Sequence, residues 1–115
     1  MKDKRPNILV LCGRNKRRSR TAEWIFKNDQ RFAIQSAGLS PKSNVQVNEK
    51  MILWADLILV MEYSQAARIS KQYRHLELPN IETLHVEDKF AYLEPKLIDL
   101  LTDRVNEIVK TVFNS

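Results

Sequence analysis

The chain of 115 residues holds one cysteine, two histidines and two glycines, and each scarcity narrows the field. A single cysteine, Cys12, excludes an intramolecular disulfide and a cysteine-based zinc site. Two histidines, His75 and His85, lie far apart with no ligand pattern around them, so no metal and no cofactor is expected. Long apolar runs are missing too: a stretch such as Leu57 to Met61 is far too short to span a bilayer. The charged start Met1-Lys2-Asp3-Lys4-Arg5-Pro6 has no secretory-type apolar segment behind it. No repeat, low-complexity segment or Gly/Ser linker divides the sequence. The expectation is one domain over residues 1–115, in a reducing, cytoplasmic compartment, with no membrane partner. With 43% hydrophobic and 29% charged residues, such a chain can bury a core without disulfide or metal staples.

What is present is charge, unevenly placed. The net charge is +5, but residues 1–20 hold eight Lys and Arg against one acid, Asp3. The other 95 residues hold eleven bases and thirteen acids. The densest part is Arg14, Lys16, Arg17, Arg18 and Arg20. One cationic end implies an anionic partner: a phosphate, a phosphorylated protein or a nucleic acid.

The hydrophobic pattern gives an order of elements. Residues 7–12, Asn-Ile-Leu-Val-Leu-Cys, read as a strand buried on both faces. Residues 19–28 carry an apolar helical stripe that includes Trp24, and residues 32–36 form a short strand ended by Gly38 and Pro41. A helix over 47–55 leads to a second buried strand over 57–61. A polar helix over 64–74 has Ser64 as its expected N-cap, and a weak strand follows at 81–85. A long helix over 95–113 opens with Pro95 in its first turn. Trp24 and Trp54 are expected in the core, and Asp56 in a turn between helix and strand. Alternating strands and helices predict an α/β fold, a parallel sheet covered by helices on both faces. Such sheets bind ligands outside the carboxyl ends of their strands. Cys12, the last residue of the first strand, stands there.

The segment between that strand and the next helix is Cys12-Gly13-Arg14-Asn15-Lys16-Arg17-Arg18-Ser19. A cysteine, five residues, then arginine and serine is a specific arrangement for phosphate chemistry. A short loop entering a helix can curl so that successive N–H groups converge on a dianion. Arg18 can close that cradle with a bidentate fork. The same positive field favours the thiolate, the nucleophilic form of cysteine. A thiolate under the phosphorus can attack in line and form a cysteinyl-phosphate, while the N–H groups and Arg18 hold the equatorial oxygens. The phosphate-binding set is therefore Gly13, Arg14, Asn15, Lys16, Arg17, Arg18 and Ser19. Asn15 can take a left-handed turn, Ser19 can reach the Cys12 sulfur or cap the helix, and Gly13 can allow close approach of the backbone.

These residues resemble the phosphate loop of the low-molecular-weight protein tyrosine phosphatases. Arg20-Thr21-Ala22-Glu23 resembles the family's Pro-Thr-Ala-Glu turn, with arginine in place of proline. Ser36-Ala37-Gly38 and Trp54-Ala55-Asp56-Leu57-Ile58-Leu59-Val60-Met61-Glu62 resemble two further family segments. The resemblance runs over nearly the whole chain and fits best the short bacterial predicted phosphatases. It implies a four-stranded parallel sheet with the phosphate loop after its first strand. It also implies phosphomonoester hydrolysis of the protein-tyrosine-phosphatase type, with Cys12 as nucleophile and Arg18 as phosphate ligand.

Ester cleavage also needs a general acid for the leaving oxygen. The resemblance points to the acidic residue of an Asp-Pro pair, which here is Glu94-Pro95. Glutamate is competent but one methylene longer, and Asp88, in the acidic stretch Glu87-Asp88-Lys89, is the second candidate. Where the longer enzymes carry aromatic residues after the pair, Lys96 and Leu97 stand here; Tyr63, Phe90 and Tyr92 are the available substitutes for a ring-binding wall. Other readings of the same residues are a phosphate-binding protein with little turnover and a nucleic-acid binder using the basic loop. The second lacks interleaved aromatics. Arsenate reduction would need resolving cysteines that this sequence lacks.

Overall fold

The computed structural model describes residues 5–113; the charged start at residues 1–4 and the last two residues lie outside the described part. Strands and helices alternate in the order β1 (Asn7–Cys12), α1 (Arg18–Phe26), β2 (Ala33–Gly38), α2 (Glu49–Trp54), β3 (Leu57–Val60), α3 (Tyr63–Gln72), β4 (Asn80–Thr83) and α4 (Pro95–Phe113). The sheet order is β2-β1-β3-β4, and all three pairings are parallel. The chain steps from β1 to one side, crosses back under it, and continues on the other side. That reversal at β1 opens a crevice at the carboxyl ends of β1 and β3. Cys12 ends β1 and pairs with Gly38 of β2.

Period-two alternation divides the strands between two cores. Ile8, Val10 and Cys12 face α1 and α4, where Ala22, Phe26, Leu97, Leu101, Val105 and Val109 pack with Leu57, Leu59 and Met61. Leu9 and Leu11 face the other way, with Ile58 and Val60, onto Ile52 of α2 and Ile69 of α3. Every side chain of β3 is buried, which is why β3 reads as an unbroken apolar run instead of an alternating one.

The structure revises several boundaries. β2 runs from Ala33 to Gly38, two residues past the expected end, and Gly38 is its last residue. The cap of α3 is Glu62, not Ser64: the Glu62 side chain accepts from the Gln65 N–H, and Gln65 Oε1 accepts in return from the Glu62 N–H, a capping box. Trp24 is not a core residue; it is 46% exposed on the outer side of α1, while Trp54 packs against the α2/α3 core. Asp56 does more than turn the chain. Its Oδ2 accepts from the Asn7 N–H at 2.8 Å and its own N–H donates to the Asn7 carbonyl at 2.7 Å, clamping the starts of β1 and β3. Before β2, Arg31 forms a two-pronged pair with Asp29 at 2.8 and 3.0 Å and reaches Asn106 of α4. Hydrogen bonds from Arg31 hold the Asp29 carboxyl below its ordinary value.

Candidate active site

The loop after β1 is shaped by its carbonyls. Those of Cys12, Gly13 and Arg14 accept from the N–H groups of Leu39 (3.0 Å), Ser40 (2.8 Å) and Asn44 (3.3 Å). The Asn15 carbonyl accepts from Asn44 Nδ2 at 2.9 Å. Four successive carbonyls thus point away from the crevice, into the 39–44 segment. In a planar trans peptide the N–H opposes the carbonyl, so the N–H groups of residues 13–16 point away from the 39–44 segment. α1 follows with Arg17 as N-cap and no side-chain cap on its first turn, so its leading N–H groups face the same space. The result is a ring of donors that can surround a tetrahedral dianion.

Gly38 makes the bracing possible. A Cβ there would stand 2.0 Å from Ser43 Oγ and 2.8 Å from the Arg14 carbonyl carbon. Only hydrogen fits between the loop and its brace. Gly13, by contrast, lines the cavity with open space where a Cβ would be, so no crowding by protein atoms demands glycine there.

Beneath the ring runs a buried polar chain. Asn15 is 2% exposed and takes a left-handed backbone, φ 55°. Its side-chain amide donates one hydrogen to Ser19 Oγ at 2.8 Å and the other to Ser36 Oγ at 3.0 Å. Ser36 in turn donates to Glu23 Oε1. Because Ser19 Oγ already accepts from Asn15, its own hydrogen is free to point at Cys12 Sγ, 2.9 Å away. Ser19 is therefore a partner of the sulfur and not the helix cap. In the sequence Glu23 and Ser36 stand only as parts of motifs; their place in this chain of hydrogen bonds depends on β2 lying beside α1.

Arg18, 5% exposed, forms one wall. Its Nη1 donates to the Val86 carbonyl at 2.8 Å, fixing the guanidinium and leaving other donors for the crevice. Glu62 Oε2 lies 3.6 Å from Nη1 and Asp88 Oδ1 3.8 Å from Nε. Cys12, Gly13, Arg14, Lys16, Arg17, Arg18 and Asp88 line a cavity of about 410 Å³. Asp88 is half exposed and also sits 3.7 Å from Arg17. The structure thus brings together the loop and one of the two expected acids.

Glu94 is elsewhere. It closes the turn ahead of α4, where its Oε1 accepts from the Ala91 N–H at 3.0 Å and its own N–H donates to the Ala91 carbonyl. It is not among the residues lining the cavity. Nor are the three aromatics. Phe90 packs on the core, Tyr63 projects from α3, and Arg20 lies 4.8 Å over the Tyr92 ring. Arg20, where the resembling motif has proline, thus contacts the 84–94 loop, which the Leu93 N–H also ties to Thr21 Oγ1 at 3.1 Å. His75 pairs with Glu49 at 3.0 Å, away from the cavity, and His85 has a left-handed backbone in the 84–94 loop. Among the described residues no group of His, Cys, Asp and Glu is placed to hold a metal, and no helix is long and apolar enough to cross a membrane.

No family profile and no curated protein matches the sequence. Solved structures do match in shape. YfkJ from Bacillus subtilis superposes with a TM-score of 0.73 at 17% identity, over 99% of this chain and 98% of that one. The tyrosine phosphatase Wzb from Escherichia coli K30, solved with phosphate, gives 0.70 at 18% identity, over 93% and 98%. The YwlE arginine phosphatase from Geobacillus stearothermophilus gives 0.65 at 20% identity, over 92% and 94%. From the strand order to the loop after β1, this chain has the fold of the low-molecular-weight protein tyrosine phosphatases.

Proposed function

We propose that the protein is a phosphomonoesterase that works through a cysteinyl-phosphate. The observation that carries this reading is the geometry around Cys12. Its sulfur ends β1 on the floor of the cavity and meets the Ser19 hydroxyl, with outward-pinned carbonyls around it and Arg18 on the wall. The tyrosine and arginine phosphatases of the same fold support it.

The ester phosphate sits in the ring of amides with Arg18 forked onto two of its oxygens. The Cys12 thiolate attacks phosphorus opposite the ester oxygen; the S–P bond forms as the P–O bond breaks. Charge on the equatorial oxygens is met by donors already in place, at no cost of reorganisation. Asp88, protonated, gives its proton to the departing oxygen. In the second step Asp88, now a carboxylate, takes a proton from water, the water oxygen attacks phosphorus, and the S–P bond breaks to return thiolate and inorganic phosphate. We assign the acid to Asp88 and not to Glu94 because Asp88 lines the cavity and Glu94 is occupied with its own turn. Arg18 and the amides supply the charge stabilisation, so the scheme calls on no metal.

Hydrolysis of phenyl phosphate tests the reading. Cys12→Ser should lower kcat by at least about a thousandfold, as loss of a nucleophile does, while inorganic phosphate still binds. Turnover retained in that variant overturns the mechanism. Phosphate binding by wild type with no turnover would instead make the protein a phosphate-binding relative of the same fold.

A further inference from the structure

The cavity carries more positive charge than one phosphate ester uses. Arg18 and the inward N–H groups already provide a fork and a ring for a single dianion. Arg14, Lys16 and Arg17, all exposed, line the same space, so the lining sets four cations against one carboxylate, Asp88. Arg17 and Arg18 lie near that carboxylate. Among the described residues, Arg14 and Lys16 have no ion-pair partner. Like charges gathered in one concavity raise its potential and concentrate anions there.

The lining also says what the rest of the ligand is not. It holds no aromatic side chain against which a tyrosyl ring could stack. A phosphoarginine would bring a further guanidinium into a cationic mouth. The location of the excess cations is equally telling. They belong to the turn that wraps the first phosphate, so a second anion must lie beside the first. In a phosphotyrosyl peptide the length of the ring separates the phosphate from neighbouring acidic side chains. A small molecule with two phosphates on nearby carbons keeps them side by side.

Resting on the phosphomonoesterase reading above, we propose that the substrate is a small bisphosphorylated metabolite. The ester to be cleaved sits over Cys12, and the second phosphate, which stays intact, is held by Arg14 and Lys16 with Arg17 at the rim. The products are inorganic phosphate and the corresponding monophosphate.

Binding to the Cys12→Ser protein, followed by calorimetry, tests this with pairs that differ by one phosphate. Suitable pairs are a nucleoside 3′,5′-bisphosphate against the 5′-monophosphate, and an inositol 4,5-bisphosphate against the 4-phosphate. A phosphotyrosyl peptide flanked by acidic residues is the third ligand. The bisphosphate of at least one pair should bind about tenfold tighter or better. That preference should fall to about twofold or less when Arg14→Gln and Lys16→Gln are added, because the second phosphate has lost its partners. Should the combined variant not fold, Lys16→Gln alone should reduce the preference, and affinity for the bisphosphate should fall more steeply with salt than affinity for the monophosphate. Equal binding within both pairs, a preference that survives the substitutions, or tighter binding of the acidic peptide overturns the proposal. Wild-type hydrolysis of phenyl phosphate is measured alongside. Turnover without bisphosphate preference defeats this inference alone; preference without turnover defeats the phosphatase reading and leaves a bisphosphate-binding protein.

Discussion

Two loops meet at Arg18, and they are held in different ways. In residues 12–19 each of the first four carbonyls is bonded to the 39–44 segment, and Asn15, Arg18 and Ser19 are buried. Residues 84–94 are fixed at their ends. Leu84 and Val86 donate to the carbonyls of Val60 and Met61, Arg104 donates to the carbonyls of Leu84 and His85, and Leu93 and Glu94 are tied near α1 and α4. Between those ends Glu87, Asp88 and Lys89 stand more than half exposed. A segment with few buried contacts opens at lower cost than one bonded along its length. The difference matches the two chemical tasks proposed above. A nucleophile and its donors must be in place before the substrate arrives, since a misplacement of about 1 Å can cost about a hundredfold. An acid that is reprotonated on each turnover has to meet solvent.

Several changes would break or sharpen that contrast. The largest effect short of removing Cys12 belongs to Asp88→Asn. It should lower kcat for phenyl phosphate by about 10²–10³-fold and lower it less for an ester with a better leaving group, while vanadate binding persists. Steady-state kinetics on the two esters checks this, and equal losses on both would deny Asp88 the role of acid. Next comes Gly38→Ala, which strikes the braced loop from behind. The added methyl meets Ser43 and the Arg14 backbone, so a loss of about 1–3 kcal/mol of stability is expected, with weaker phosphate binding. Denaturant unfolding and calorimetry measure both.

Glu94→Gln keeps the acceptor for the Ala91 N–H and removes only the charge at the head of α4. It should cost about 0.3–1 kcal/mol of stability and change kcat little. A kcat loss as large as that of Asp88→Asn would move the acid to Glu94. The smallest effect, outside both loops, is Asp29→Asn. The Asp29 carboxyl is held below its ordinary value of 3.8 by hydrogen bonds from Arg31. A depressed carboxyl adds stability above its unfolded-state value and loses it as pH falls through the folded one. Wild type should therefore exceed the variant by about 0.2–0.5 kcal/mol near neutral pH, with the two converging in strong acid and kcat unaffected. Melting curves from pH 7 down to acid follow the convergence.

How much of this was legible follows from the range of each interaction. The strands over 7–12 and 57–61 and the helix over 95–113 stand out because their apolar spacing is written into consecutive residues. The cap of α3 and the exposure of Trp24 were misread. Glu62 caps through a reciprocal bond with Gln65, and Trp24 lies on the side of α1 that no other layer covers. The spacing of Cys12, Arg18 and Ser19 announced the loop. It could not announce that Ser36, seventeen residues beyond Ser19, hands a hydrogen bond to Glu23 and receives one from Asn15.

By itself, then, the sequence determined the alternation of strand and helix, the cationic turn, and the lone sulfur at the carboxyl end of β1. Those depend on periodicity, charge and spacing within a few residues. Tertiary structure alone decided which acid lines the cavity with the sulfur, which segment engages the loop's carbonyls, and why Gly38 must lack a side chain. Each of those rests on segments far apart in the chain, and only parallel pairing about β1 and packing across the sheet bring them to one place.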